Sequence, residues 1–234
     1  MKLEVIAVSV RDAIDAQRFG ADRIELVTGI AEGGLTPSAG MIERVVAKVG
    51  IPVNVMVRPH SRSFCYDEDD VDVMLRDIAL VRQAGAAGIV IGALTPDGKI
   101  DVALLERLLA AASGLDVTFH RAFDETADLF SSLNVLKEYP PISRILTSGG
   151  TIPAPQAMPR IRELNAAAAR THLRILAGHG LTPASLESFL RETGVPEVHF
   201  GSAVRQDGTF RSPIDGAKMG RVRSILRSLE HRSF

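Results

Sequence analysis

The sequence predicts an α/β fold, a single (β/α)8 TIM barrel, and three observations carry that expectation. Short runs rich in β-branched residues recur eight times along the 234 residues, each bounded by glycine, proline or polar residues. Longer segments with helical spacing lie between them. The repeat averages about 29 residues per strand–helix unit, the spacing of a closed barrel, with one domain expected over residues 1–234. An open doubly wound sheet is the competing arrangement. Against it, the first glycine-rich loop, GIAEGGLTP, follows the second strand, and no G-x-G-x-x-G follows the first.

The elements follow in order. LEVIAV (3–8) and RIELV (23–27) are the first two strands. Thr36-Pro37 then reads as an N-cap with proline at the first helical position. IPVNVMV (51–57) is the third strand. Residues 67–84, DEDDVDVMLRDIALVRQA, open with acids that complement a helix N-terminus and place Val71, Met74, Leu75, Ile78 and Val81 on one stripe. GIVIGA (88–93), LDVTFH (115–120) and SRILTS (143–148) are strands four to six. The alanine-rich stretch 156–170 is a good helix former. LRILAG (173–178) is the seventh strand, Thr182-Pro183 repeats the N-cap signal, and PEVHFG (196–201) is the eighth.

An apolar content of 46% supports a sizeable core, and a net charge of −1 offers no electrostatic footprint for nucleic acid or an acidic membrane. The basic end (Lys218, Arg221, Arg223, Arg227, Arg232) reads as the wet face of a last helix. A single cysteine, Cys65, excludes an internal disulfide and fits a reducing, cytoplasmic compartment. No run approaches the roughly 20 apolar residues that span a bilayer.

Alternate residues of a barrel strand face the interior and the surrounding helices in turn. The wholly apolar parity (Leu3, Val5, Ala7; Ile24, Leu26; Ile51, Val53, Val55, Val57; Val117, Phe119; Val198, Phe200) belongs in the layer under the helices, which is dry on both sides. The other parity turns Glu4, Glu25, Asn54, Arg58, Thr118, His120 and His199 inward. Glu4 lies early in its strand and reads as part of a buried ion cluster near the floor. Glu25 lies between floor and rim. Arg58, His120 and His199 sit at carboxyl ends, where barrel chemistry is found. Asp124 is expected on the loop above His120, and Arg121, of helix-facing parity, as a structural pairing partner.

AGHGLTP after strand seven and FGSAVR after strand eight read as a candidate anion seat. Its small residues are Gly178, Gly180, Gly201, Ser202 and Ala203, with Ser148-Gly149-Gly150 extending the cradle and Arg205 adding charge. Tight turns account for the same glycines equally well.

GADRIEL (20–26), EGGLTPS (32–38), Arg58-Pro59 followed by Phe64-Cys65-Tyr66, FHRAFD (119–124), RILTSG (144–149) and EVHFGSA (197–203) together resemble the CutC family of copper-homeostasis proteins. The resemblance implies a cytosolic β/α barrel, dimeric in some members, with a role in copper handling. Members proposed to bind copper carry cysteines in or near the first two strands; here those positions read VIAV and ELVTG. A Cu(I) site would therefore rest on Cys65 with Met56 or His60. A harder divalent ion would take Glu25, His120 and His199.

Two function classes stay open. One is a copper-binding or trafficking protein. The other is an isomerase, epimerase or lyase that uses Glu25, Arg58, His120, His199 and Asp124 for acid/base chemistry on a small anionic or phosphorylated molecule. None of Lys2, Lys48, Lys99, Lys137 and Lys218 lies at a strand's carboxyl end, which disfavours a Schiff-base mechanism, and no G-x-S-x-G is present.

Overall fold

A computed structural model describes residues 1–230, so Arg232 of the basic end lies outside the described residues. Eight parallel strands hydrogen-bond in sequence order: β1 (Lys2–Ala7), β2 (Arg23–Leu26), β3 (Val53–Met56), β4 (Gly88–Ile91), β5 (Asp116–Phe119), β6 (Ile142–Thr147), β7 (Arg174–Ala177) and β8 (Glu197–Phe200). β8 pairs back onto β1, so the sheet has no free edge. The outer ring is α1 (Val10–Arg18), α2 (Ala39–Val46), α3 (Glu68–Gln83), α4 (Val102–Ala111), α5 (Leu129–Leu136), α6 (Met158–Ala168), α7 (Leu186–Thr193) and α8 (Gly216–Glu230). The chain is a (β/α)8 TIM barrel.

Strand parity sorts the two cores. Leu3, Val5, Ala7, Ile24, Leu26, Val55, Ile89, Val117 and Phe119 are completely buried between barrel and helices. A smaller apolar group, Ile6, Val27, Met56 and Val90, forms a separate cluster. β1, β2, β3 and β4 each contribute one of these side chains or lead directly into it, at positions that alternate with the outer core.

The capping chemistry explains where two helices begin. Asp67 accepts from the Asp70 N–H while the Asp70 carboxylate accepts from the Asp67 N–H, a reciprocal cap that fixes the start of α3. Thr36 does not cap α2; Ser38 does, accepting from Met41. The Thr36 hydroxyl is committed to the backbone of Arg58, accepting from its N–H at 2.9 Å, so a neighbouring strand end outbids the helix. Near α7, Thr182 and Ser185 accept each other's backbone N–H through their hydroxyls, both at 3.1 Å, over a turn that precedes the helix. No helix among the described residues is long and apolar enough to cross a membrane.

Candidate functional site

The register of three strands builds the floor. Glu4 lies opposite Arg23 on one side and His199 on the other. Arg23 has the same parity as Glu25, so it also turns inward, where its guanidinium bonds Glu4 and reaches Glu197 at 2.5 Å. Arg144 from β6 joins from the far wall, 3.3 Å from Glu197 and 2.5 Å from Asp116. Sequence reasoning assigned Glu4 to an ion cluster but missed Arg23, Glu197 and Arg144. Their parity was legible; what was not summed is that two buried arginines compensate the carboxylates around them.

Above the floor sits a chain of ionisable groups. The Glu4 carboxylate is 2.8 Å from His199 Nδ1, and His199 Nε2 is 3.7 Å from Glu25. All three are buried, and one ligand-capable atom from each lies within 4.8 Å of the others. Burial works against the Glu4 anion, yet Arg23 and His199 hold its pKa down to about 2. Glu25 goes the other way: burial, not offset by the attraction of His199, lifts it to about 7. His199 loses by desolvation and gains more from Glu25 and Glu4, so its pKa is raised. One carboxylate is thus ionised, one is poised near neutrality, and an imidazole stands between them.

A cavity of about 650 Å3 opens from this layer to the mouth of the barrel. Glu25 and His199 line it together with Ile6 and Met56, and Arg58, His120, Arg121 and Asp124 line it as well. His120 packs against Gly92, where a Cβ would come within 2.5 Å of its ring, and the Phe64 ring lies 4.9 Å away. The Ala122 N–H donates to Nδ1, which leaves the ring proton on Nε2. Burial and the charge of Arg58 push the His120 pKa down to about 3, so the imidazole is neutral at physiological pH and serves as a donor. Arg58 lies over Phe64, 4.5 Å from the ring centroid, and bonds the carbonyls of Glu32 and Gly34 through one Nη.

A stability consequence follows for His120. Its folded pKa is depressed below the ordinary 6.5, so the unfolded chain binds more protons between pH 6.5 and about 3 and stability falls as pH drops through that window. His120→Asn is expected to lose about 2 kcal/mol less than the parent between pH 7 and pH 4.5. Urea midpoints at the two pH values measure it; equal losses in both proteins refute it.

Asp124 and the loop after β6 differ from the sequence-based expectation. The Asp124 carboxylate accepts from Arg121 Nε at 2.9 Å, from the Thr147 hydroxyl, from the Ser148 N–H and hydroxyl at 3.0 and 3.1 Å, and from the Gly150 N–H at 3.1 Å. Those bonds occupy its acceptor sites and make it a fastener for the loop rather than a free acid or base. They also use up the Ser148-Gly149-Gly150 cradle: an internal carboxylate occupies the nest expected for an external anion, with the Gly149 N–H turned to Thr147. Gly178 is packed against His199 and Leu146, and its N–H bonds the Thr147 carbonyl. Gly180, Gly201, Ser202 and Ala203 do line the cavity. Arg205 does not add charge to it; fully buried, it pairs with Asp12 at 2.9 Å and bonds the Ile6 and Ser212 carbonyls.

Of the soft-donor set, only Met56 lines the cavity. His60 holds Asp70 at the start of α3, 3.0 Å away, and half-buried Cys65 bonds Ser63 through its backbone. A hard-ion set including His120 does not form either: the clustered donors are Glu4, Glu25 and His199. Sequence reasoning missed His179, whose φ of 67° is the one left-handed backbone among non-glycine residues described, and which also lines the cavity. No signal in AGHGL separates that strain from an ordinary turn.

Comparison with known proteins adds an independent line. The sequence profile of the CutC family matches residues 1–204. A protein of Salmonella schwarzengrund (strain CVM19633) described as family protein CutC is 42% identical over 217 residues, spanning 93% of this chain and 86% of its own length. Its counterpart in Glaesserella parasuis serovar 5 (strain SH0165) is 38% identical over 220 residues, 94% of this chain and 89% of its own. The crystal structure of a CutC protein from Streptococcus agalactiae, with a proposed role in copper homeostasis, superimposes with a TM-score of 0.80 at 31% identity, covering 86% of this chain and 98% of that one.

Proposed function

This chain belongs to the CutC family, and we propose that it is a general acid/base enzyme acting on a small anionic carbonyl compound at the mouth of its barrel. One observation carries the reading. Glu25 Oε1, Arg58 Nε and His120 Nε2 are buried atoms without a hydrogen-bond partner, and all three residues line the same cavity. Burying a polar atom unpaired costs about 1–3 kcal/mol each, more when charged, and three such atoms on residues that line one cavity favour a ligand toward which those side chains can turn.

The chemistry assigns each a part. Ionised Glu25 removes a proton from the carbon beside a carbonyl, and the C–H electron pair moves onto the carbonyl oxygen. The neutral His120 Nε2–H donates a hydrogen bond to that developing enolate. Arg58 holds the anionic substituent. The proton on Glu25 then returns on the same face to the neighbouring hydroxyl-bearing carbon, while His120 gives its Nε2 proton to one oxygen and takes the proton of the other, which gives isomerisation without any net oxidation. His199, held on Nδ1 by Glu4, keeps Glu25 near the pKa at which both forms are populated at neutral pH.

Copper carriage fits the residues less well. Cu(I) takes thiolate and thioether ligands, whereas the clustered donors are two carboxylates and an imidazole, with Met56 the lone sulfur among the cavity-lining residues. Glu4 is further committed to Arg23. The test is carbon-bound proton exchange: the protein is incubated in D2O with 2-oxo acids and with aldose and ketose phosphates, and deuterium incorporation is followed by NMR. Incorporation that falls at least 100-fold in Glu25→Gln is the expected result. Tight Cu(I) binding in a chelator competition, lost in Cys65→Ser and with no exchange on any probe, would overturn the reading.

A further inference from the structure

The basic end of the chain contains a second cleft that the mouth chemistry does not use. A cavity of about 440 Å3 lies between the end of α1 and α8, lined by Arg18, Phe19, Gly20, Gly220, Arg223, Ser224 and Arg227. It is on the floor side of the barrel, because α1 ends there before the chain enters β2 and α8 runs back from the β8 loop. We propose that this cleft is a binding site for a small phosphorylated dianion, separate from the barrel mouth.

Helix geometry turns the lining residues together. Gly220, Arg223, Ser224 and Arg227 follow the i, i+3, i+4, i+7 spacing of one stripe, while Met219, Val222, Leu226 and Leu229 form the buried stripe. Arg223 and Arg227 stand four residues apart, a like-charge spacing that destabilises a helix on its own. Arg18 faces them from α1. Arg223 is tied to Asp22 at 2.7 Å, but its Nε is buried without a partner. Among the described residues, neither Arg18 nor Arg227 has an acidic partner; Arg18 lies over the Phe19 ring. Arg18 and Arg227, neither paired with an acid among the described residues, leave two positive charges at the cleft, which matches the dianion of a phosphate monoester or one end of a pyrophosphate.

The second observation is Gly220. A glycine inside an α-helix weakens it, and here packing supplies no reason for one, since an added Cβ would meet nothing within 4 Å. The space above it is part of the cleft. A larger side chain would improve the helix and fill the seat.

Calorimetric titration of the full-length protein with pyrophosphate at low ionic strength tests the proposal. One equivalent is expected to bind, at least 10-fold more weakly in Arg18→Ala/Arg227→Ala. Gly220→Leu, which should melt no lower than the parent, is expected to lose binding as well. Arg58→Ala, at the mouth, should leave the affinity unchanged. Absence of binding overturns the proposal, as does binding that persists in Gly220→Leu or disappears in Arg58→Ala, and so does equal affinity for sulfate and chloride, which would mark unspecific charge attraction. Because carbon-bound exchange reads only the mouth, failure of either site leaves the other standing.

Discussion

Glu25→Gln is expected to abolish proton exchange at the mouth and, at the same time, to make the protein more stable in mild alkali. The sign follows from linkage. The Glu25 carboxyl rises from the usual 4.5 to about 7 in the folded state, so the native protein binds more protons than the unfolded chain between those values, and stability declines as pH climbs through them. The full penalty, about 3 kcal/mol from a shift of that size, is present only above neutrality. Glutamine carries no such penalty. His199 loses one of the two carboxylates that raise its pKa, which offsets part of the gain. A net stabilisation of about 2 kcal/mol at pH 8.5 remains, a rise of roughly 4–8 °C in melting temperature for a chain of this size. At pH 5 the two proteins should melt within about 2 °C of each other. A variant that melts lower than its parent at pH 8.5 would show that Glu25 belongs to the structural ion cluster rather than to the working face of the cavity. Gain of stability with loss of turnover is the pattern of a group held in an unfavourable environment for chemistry.

Arg23→Ala is expected to have the largest effect on folding, a loss of about 3–5 kcal/mol in urea denaturation. The guanidinium lies between Glu4 and Glu197, and its removal leaves Glu4 with His199 alone and Glu197 with Arg144. Neither partner can follow the missing charge into solvent, because both carboxylates are buried. The same variant should be more sensitive to acid. The depressed pKa of Glu4 supplies stability that is present above 4.5 and disappears as pH falls toward about 2; without Arg23 that shift shrinks. Replacing both partners, as in Arg23→Met/Glu4→Leu, should recover a large part of the loss, since two apolar groups can fill the space that a lone carboxylate cannot. A loss below about 1 kcal/mol in the single variant would mean that water reaches the floor and solvates the acids.

The parts of the fold that were legible in the sequence share a cause. A strand whose two faces see different surroundings shows it in alternate residues, so the two-residue period of β1, β2, β3, β5 and β8 separated the layer under the helices from the interior. The acidic run at 67–70 announced the start of α3 for an equally local reason, although the reciprocal cap between Asp67 and Asp70 emerged only in the structure. Thr36 misled because the preference of a hydroxyl for a helix start was weighed without the Arg58 backbone, distant in sequence and adjacent in space. Asp124 misled in the same manner. Its neighbours Arg121 and Glu125 suggested a loop rich in chemistry, whereas its partners Thr147, Ser148 and Gly150 lie more than twenty positions away.

Residue order by itself determined the barrel, the inward direction of Glu4, Glu25, Arg58, His120 and His199, and the scarcity of soft metal ligands, because each is a property of periodicity or composition. Only tertiary structure decided what those inward groups became. Two carboxylates on neighbouring strands were pushed in opposite directions, Glu4 down by an arginine and an imidazole beside it and Glu25 up by burial with one oxygen left unbonded. A side chain's charge is set by the atoms that replace its water, and which atoms those are is known only once the cylinder has closed.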